Sequence, residues 1–224
     1  MNDVTEEYFT SSNNSKINSL VHCCFKYISE LDKHKFIKKF RKQSGDETQV
    51  LHTFRELVLG AYLEKNGLTV RHDFKIKEKT PDWVVLESGS LVTGVVELVN
   101  FHIDKITEDS INSSFKERNI WCDWVEPNNG RLYQRLQEKA ECYQTIVEEN
   151  NIPYVVAVFG EFKAGVEIEE IHEVLFQDYK GGLFRRFPTL SGVLFFEELG
   201  GSYSFKYFPN PNPAVAYSLN DGII

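Results

Sequence analysis

Apolar residues recur at helical spacing through Ile17, Leu20, Val21, Cys24, Ile28 and Leu31, and Phe36, Ile37 and Phe40 continue the stripe before Gly45. The pattern predicts one N-terminal helix over 17–43, preceded by a flexible polar tail over 1–15. A second helix is expected from Asp46 to Asn66, with Asp46 as N-cap and Gly67 at the C-terminal stop. Its segment Leu57-Val58-Leu59-Gly60-Ala61-Tyr62-Leu63 is apolar on nearly every face, so both sides should be covered. Glu56 shares a face with Gly60 and Leu63, and Gly60 would let the helix approach a sheet closely.

Strand-like runs follow at Leu68–Ile76, Trp83–Leu86 and Leu91–Val99, the last two joined by a turn at Ser88-Gly89-Ser90. The stretch from Ile103 to Asn129 is polar and irregular, with helix expected near Ser110–Arg118 and an inserted loop at 119–129. Arg131–Asn150 reads as an amphipathic helix, Tyr154–Phe159 as a strand buried on both faces, and Ile168–Phe176 as a short helix. A Gly/Arg-containing loop spans Lys180–Pro188. Strands near Leu190–Phe196 and Tyr203–Phe208 complete the pattern, and 209–224 reads as an extended tail. Strands and helices in this order predict a single α/β domain over 16–208, with the N-terminal helix packed on a core at 46–208.

Composition narrows the function classes. The chain has 224 residues, 42% of them hydrophobic and 26% charged, which is enough for one sizeable core. No apolar run approaches the roughly 20 residues needed to span a bilayer, so no membrane partner is expected. Cys23, Cys24, Cys122 and Cys142 lack CxxC spacing, and the acidic, polar start lacks a secretory pattern; reduced thiols in a cytoplasmic protein are expected. A net charge of −8 excludes a wholly basic surface but leaves room for local basic patches. One is the cluster Lys33, Lys35, Lys38, Lys39, Arg41 and Lys42, and a second is Arg131 with Arg135. Each has a bland reading as a solvated helix face. No P-loop, GxGxxG, GxSxG or HExxH stretch is present.

The hairpin between the second and third strands carries the chemistry. Asp82 enters one strand and Glu97 lies late in the next. A two-residue loop pairs Asp82 with Val95 and puts Glu97 one diagonal step away on the same face. A four-residue loop pairs Asp82 with Glu97 directly, whereas a three-residue loop puts them on opposite faces. On one face the carboxylates would lie within about 5–8 Å, close enough to share a divalent cation. Glu97 interrupts the apolar run Val95-Val96-Glu97-Leu98-Val99, where a charge costs several kcal/mol unless a cation compensates it. Glu56 on its buried helix face raises the same question. Three buried acids from separate elements suggest one shared site. The bland alternatives are an ion pair for Glu56, a turn cap for Asp82, and a structural partner such as Arg135 or Lys139 for Glu97.

These motifs, in order, resemble the PD-(D/E)XK superfamily of nucleases: Glu56 in FRELVLGAYLEKNG, Pro81-Asp82 in TPDWVV, Glu97 in GVVELVN, then a helix and a buried strand. The resemblance covers about 46–159. It implies a restriction endonuclease-like mixed central sheet flanked by helices, here with an added N-terminal helix. It also implies metal-dependent hydrolysis of DNA phosphodiesters, with Mg2+ or Mn2+ held by Asp82 and Glu97 and supported by Glu56. Val99 stands where the superfamily carries its lysine. Lys139, followed by Tyr143 one turn on, resembles the Gln-x-x-x-Tyr pattern of one nuclease branch, and is expected to reach into the vacated space. Lys38, Lys39, Arg41, Lys42, Arg131 and Arg135 would track the DNA backbone. A homodimer is compatible with this class. Two other readings stay open: a nuclease fold without catalysis, serving as a DNA-binding or protein-interaction module, and a metal-binding protein of another reaction class.

Overall fold

The computed structural model describes residues 15–43, 45–101, 129–160, 166–177 and 181–224. Residues 1–14 of the tail expected over 1–15, the helix near Ser110–Arg118 and nearly all of the 119–129 insertion lie outside these residues, while Ser15 begins the first helix. The protein is a mixed α/β structure with six helices among the described residues and a seven-stranded mixed sheet. The helices are α1 (Ser15–Phe25), α2 (Glu30–Gln43), α3 (Glu47–Lys65), α4 (Asn129–Asn150), α5 (Ile168–Phe176) and α6 (Leu183–Arg186). The strands are β1 (Val70–His72), β2 (Trp83–Glu87), β3 (Leu91–Phe101), β4 (Tyr154–Gly160), β5 (Gly192–Leu199), β6 (Ser202–Pro209) and β7 (Gly222–Ile223).

Strand order in space follows the chain, β1 to β7. The three central strands β3, β4 and β5 are parallel, and the outer pairings are antiparallel. Alternating side chains divide the interior into two cores. One joins α1, α2 and α3 to the face carrying Trp83, Val96 and Leu98. The other joins α4, α5 and α6 to the face carrying Val95, Val99 and Val156. All seven residues of β4 are buried, as a strand covered by helices on both faces requires.

The continuous N-terminal helix expected over 17–43 is instead two helices. Ser29 explains the break: its hydroxyl accepts the Asp32 backbone N–H at 3.2 Å and donates to the buried Asp32 carboxylate at 2.7 Å. That reciprocal cap starts α2 afresh, a signal the unbroken apolar stripe conceals. The strand expected over 68–76 contracts to β1, with Ile76 and Lys79 closing a separate turn. The segment after Pro209 carries β7, which pairs with β6, while Asp221 accepts the Tyr207 N–H at 2.9 Å. Asp46 caps α3 by accepting the Gln49 N–H, and Gly67 follows the helix with a φ of 82°. No helix among the described residues is long and apolar enough to cross a membrane.

Two local features set the position of the acids. A Cβ at Gly60 would fall 2.0 Å from the Trp83 ring, so only glycine permits α3 to lie this close to β2. The Trp83 indole N–H also donates to the Glu56 carbonyl at 3.0 Å, which pins the middle of α3 over the start of β2. The second feature lies in the β2–β3 hairpin. Glu87 pairs with Leu91 across a three-residue loop, which alone would place Asp82 and Glu97 on opposite faces. An irregularity then shifts the register, so that Leu86 faces Val92 but Val85 faces Gly94. Thr93 is the extra residue of this bulge, and it rotates every later position of β3 by one step. Trp83 consequently pairs with Val96, and the register runs on to set Asp82 beside Glu97.

Candidate metal centre

Asp82 and Glu97 come together on the sheet face covered by α4. The Asp82 backbone N–H donates to Glu97 Oε1 at 2.9 Å, and the Leu98 N–H donates to Asp82 Oδ2 at 2.8 Å. Each carboxylate is thus tied to the backbone of the other acid's segment, Glu97 to Asp82 and Asp82 to Leu98. Lys139 reaches down from α4 and places Nζ 2.5 Å from Glu97 Oε2. Burial and the Glu97 charge push up the phenol of Tyr143, one turn further along α4, and Tyr154 donates to the Lys139 carbonyl at 2.8 Å. Val99 lies on the same side of β3 as Glu97 but packs into the apolar core under α4. The ammonium near the acids therefore comes from the helix and not from the strand.

Charge in this pocket is only partly balanced. Burial pushes the Asp82 carboxyl above its ordinary range; Lys139 opposes the shift and Glu56 adds to it. Burial and the neighbouring Asp82 charge likewise raise Glu97, against the pull of Lys139. Burial acts to lower the pKa of Lys139, but the Glu97 and Asp82 charges outweigh it and raise the value. One ammonium thus serves two carboxylates. An acid pair in this condition fits a divalent cation, because magnesium-like ions keep several waters and need only one or two carboxylates.

Glu56 approaches from the opposite face and has its own escort. His52 Nε2 lies 3.0 Å from Glu56 Oε1, while His72 Nε2 and Lys39 Nζ lie 2.9 Å and 3.0 Å from Oε2. Lys39 also contacts Asp73 Oδ2 at 3.1 Å. Burial works to raise the Glu56 pKa, but hydrogen bonds from His52 and His72 and the Lys39 charge hold it well below the usual carboxylate range. With Nε2 donating to Glu56, the buried His72 ring leaves Nδ1 without a hydrogen-bond partner. The structure therefore brings Asp82, Glu97 and Lys139 together but gives Glu56 separate partners. Among the described residues, no group of three or more His, Cys, Asp or Glu side chains is arranged to hold a metal ion.

No family model, curated protein or solved structure matches the chain.

The basic residues expected along a nucleic-acid track divide in the same way. Lys38, Arg41 and Lys42 are exposed on α2, whereas Lys39 turns inward to Glu56. Lys33 pairs with Glu30, and Lys35 pairs with Asp32 and donates to the His72 carbonyl. Arg135 is exposed and pairs with Glu138 at 3.3 Å, and the Arg131 guanidinium lies 4.9 Å from the centre of the Phe101 ring. A cavity of about 460 Å³, lined by residues including Phe176, Phe184, Arg185 and Pro211, shares no residue with the acid cluster. Sequence reasoning missed His52, His72 and Asp73. His52 had a signal, since it lies four residues before Glu56 on the same helix and therefore on the same face. His72 and Asp73 had none, because their proximity to Glu56 depends on how β1 docks beside α3.

Proposed function

We propose that the protein is a metal-dependent DNA phosphodiester hydrolase of the PD-(D/E)XK type. One observation carries the reading: Asp82 and Glu97 share a sheet face, and Lys139 from α4 contacts Glu97 where the strand itself supplies only Val99. Element order supports it. A glutamate-bearing helix, an antiparallel hairpin with both acids, a helix and a buried parallel strand follow the pattern on which the resemblance rests.

Asp82 and Glu97 would hold Mg2+ or Mn2+. When bound, such an ion supplies Lewis-acid activation of water and neutralises charge on the phosphoryl oxygens. The Glu97 and Asp82 charges favour the ammonium form of Lys139. Its ammonium is placed to orient water and to stabilise negative charge on a phosphate. Tyr154 fixes the α4 backbone at Lys139. The exposed Lys38, Arg41 and Lys42 would contact the DNA backbone. Val99 favours the rival reading of an inactive nuclease fold that serves as a binding module.

The test is cleavage of supercoiled plasmid and single-stranded DNA with Mg2+ or Mn2+, comparing wild type, Asp82→Ala and Lys139→Ala. Wild type should cut, Asp82→Ala should be inert, and Lys139→Ala should lose on the order of 10²-fold in rate, the usual cost of removing one preorganised donor. Undiminished cutting by Asp82→Ala would place the chemistry elsewhere. A wild type that binds metal and DNA yet never cuts would favour the inactive fold.

A further inference from the structure

Glu56 sits beside a position that already contains a cation. The Lys39 ammonium lies 3.0 Å from Glu56 Oε2, 3.1 Å from Asp73 Oδ2 and 3.3 Å from His72 Nε2. Two carboxylate oxygens face this positive centre, and His72 Nε2 would join them once its proton passed to Nδ1, which lies 3.4 Å from Asp73 Oδ2; these are the donor types that a divalent ion would also use. Lys39 is not held there by charge alone. Lys35 on the same helix donates to the His72 carbonyl, and Phe36 packs its ring 4.3 Å from His72 and 5.9 Å from Trp83. Trp83 in turn holds the Glu56 carbonyl. The Lys35–Lys39 turn of α2 is therefore fixed against the same residues that position Glu56.

We propose that Lys39 is a built-in cation occupying the position beside Glu56, so that the protein takes one divalent ion and not two. The inference rests on the reading that Asp82 and Glu97 bind that ion. It gives the N-terminal helix pair a part in the site: beside the hydrogen bonds from His52 and His72, α2 delivers the ammonium that faces Glu56 and denies it to metal. Lys39 is a positioning residue, since it acts through Glu56. Its contacts of 3.0–3.3 Å suit an ammonium, whereas metal–ligand distances are about 2.1 Å. Donors released from Lys39 must draw inward to hold an ion, so an ion admitted there binds more weakly than the first.

The experiment counts Mn2+ ions bound to the full chain at neutral pH, using the electron paramagnetic resonance signal of unbound Mn2+. Wild type should bind one. Lys39→Met, an unbranched side chain one atom shorter and without charge, should bind one more than wild type, and Lys39→Arg should match wild type. Lys39→Gln serves as a second neutral variant if the methionine variant aggregates. A wild type that binds two ions, or neutral variants whose count equals that of wild type, would overturn the proposal. Asp82→Asn separates the two ideas. If it binds as many ions as wild type, the Asp82–Glu97 site is wrong. The increment on neutralising Lys39 tests the built-in cation in either background.

Discussion

Glu56 and Glu97 are buried to similar degrees, with Asp82 half-buried beside Glu97, yet the carboxyl of Glu56 shifts in the opposite direction to those of the pair. Glu56 is 4% exposed and Glu97 2%, so burial alone does not separate them. Partner count does. Glu56 receives two imidazoles and an ammonium on one carboxylate, and its pKa falls. Asp82 and Glu97 share one ammonium, and both of theirs rise. A buried acid with surplus compensation is part of the framework. One with a deficit costs stability, and a folded protein tolerates that cost most readily where a ligand supplies the missing charge.

The largest expected effect breaks the compensated side. Glu56→Ala leaves the buried His72 without its carboxylate and the half-buried Lys39 with Asp73 alone, and should cost about 3 kcal/mol in urea unfolding. An unchanged stability would mean that the histidines and lysine do not need Glu56. The pH dependence follows from the shifts. Because the folded pKa of Glu56 is depressed, its contribution is complete above the ordinary carboxylate range and is lost as pH falls towards the folded value. Wild type should therefore show a steep acid limb that Glu56→Gln flattens.

Next in size is Gly60→Ala, whose new methyl group meets the Trp83 ring. Overpacking of this kind costs about 1–3 kcal/mol, measured as a drop in thermal midpoint. It pushes α3 and Glu56 away from the sheet while leaving Lys139 on Glu97, so it loosens one region and spares the other. A neutral result would show that α3 can shift outward at little cost. The smallest effect has the opposite sign. Asp82→Asn removes one charge of the under-compensated pair but retains an oxygen for the Leu98 N–H. Without added metal it should raise stability by about 1 kcal/mol. The sign follows from raised folded pKa values: the wild type takes up protons more readily than its unfolded chain, and gains stability from these groups as pH falls through their raised range. A loss of stability on this substitution would mean that the pair is compensated after all.

Much of this arrangement was legible in the chain. Periodicity gives α3, β3, α4, β4 and α5 nearly to the residue, because each is long or strongly patterned. The chain narrows the partner of Glu97 to Arg135 or Lys139, and Lys139, on the edge of the apolar face of α4, is the one that makes the contact. The register of the hairpin does not. Loop length alone argues for opposite faces, and the bulge at Thr93 that returns both acids to one face leaves no mark in the residue types. Nor does the sequence reveal that Lys39 points inward while its neighbour Lys38 faces water, since a basic helix looks alike from either side until its docking is known. Glu56 was expected to join the other acids. Its charge does reach Asp82, but its direct partners are His52, one turn earlier on α3, and Lys39 and His72 from α2 and β1, whose approach is tertiary.

The most direct measurement is the thermal midpoint at neutral pH with and without Mn2+, for wild type and for Asp82→Asn. Ion held between Asp82 and Glu97 stabilises the folded chain by about 2.7 kcal/mol at one hundred times its dissociation constant, a shift of several degrees. The wild-type midpoint should rise by that amount while the variant's stays fixed. No rise in wild type, or an equal rise in both proteins, would contradict a cation site at these two acids.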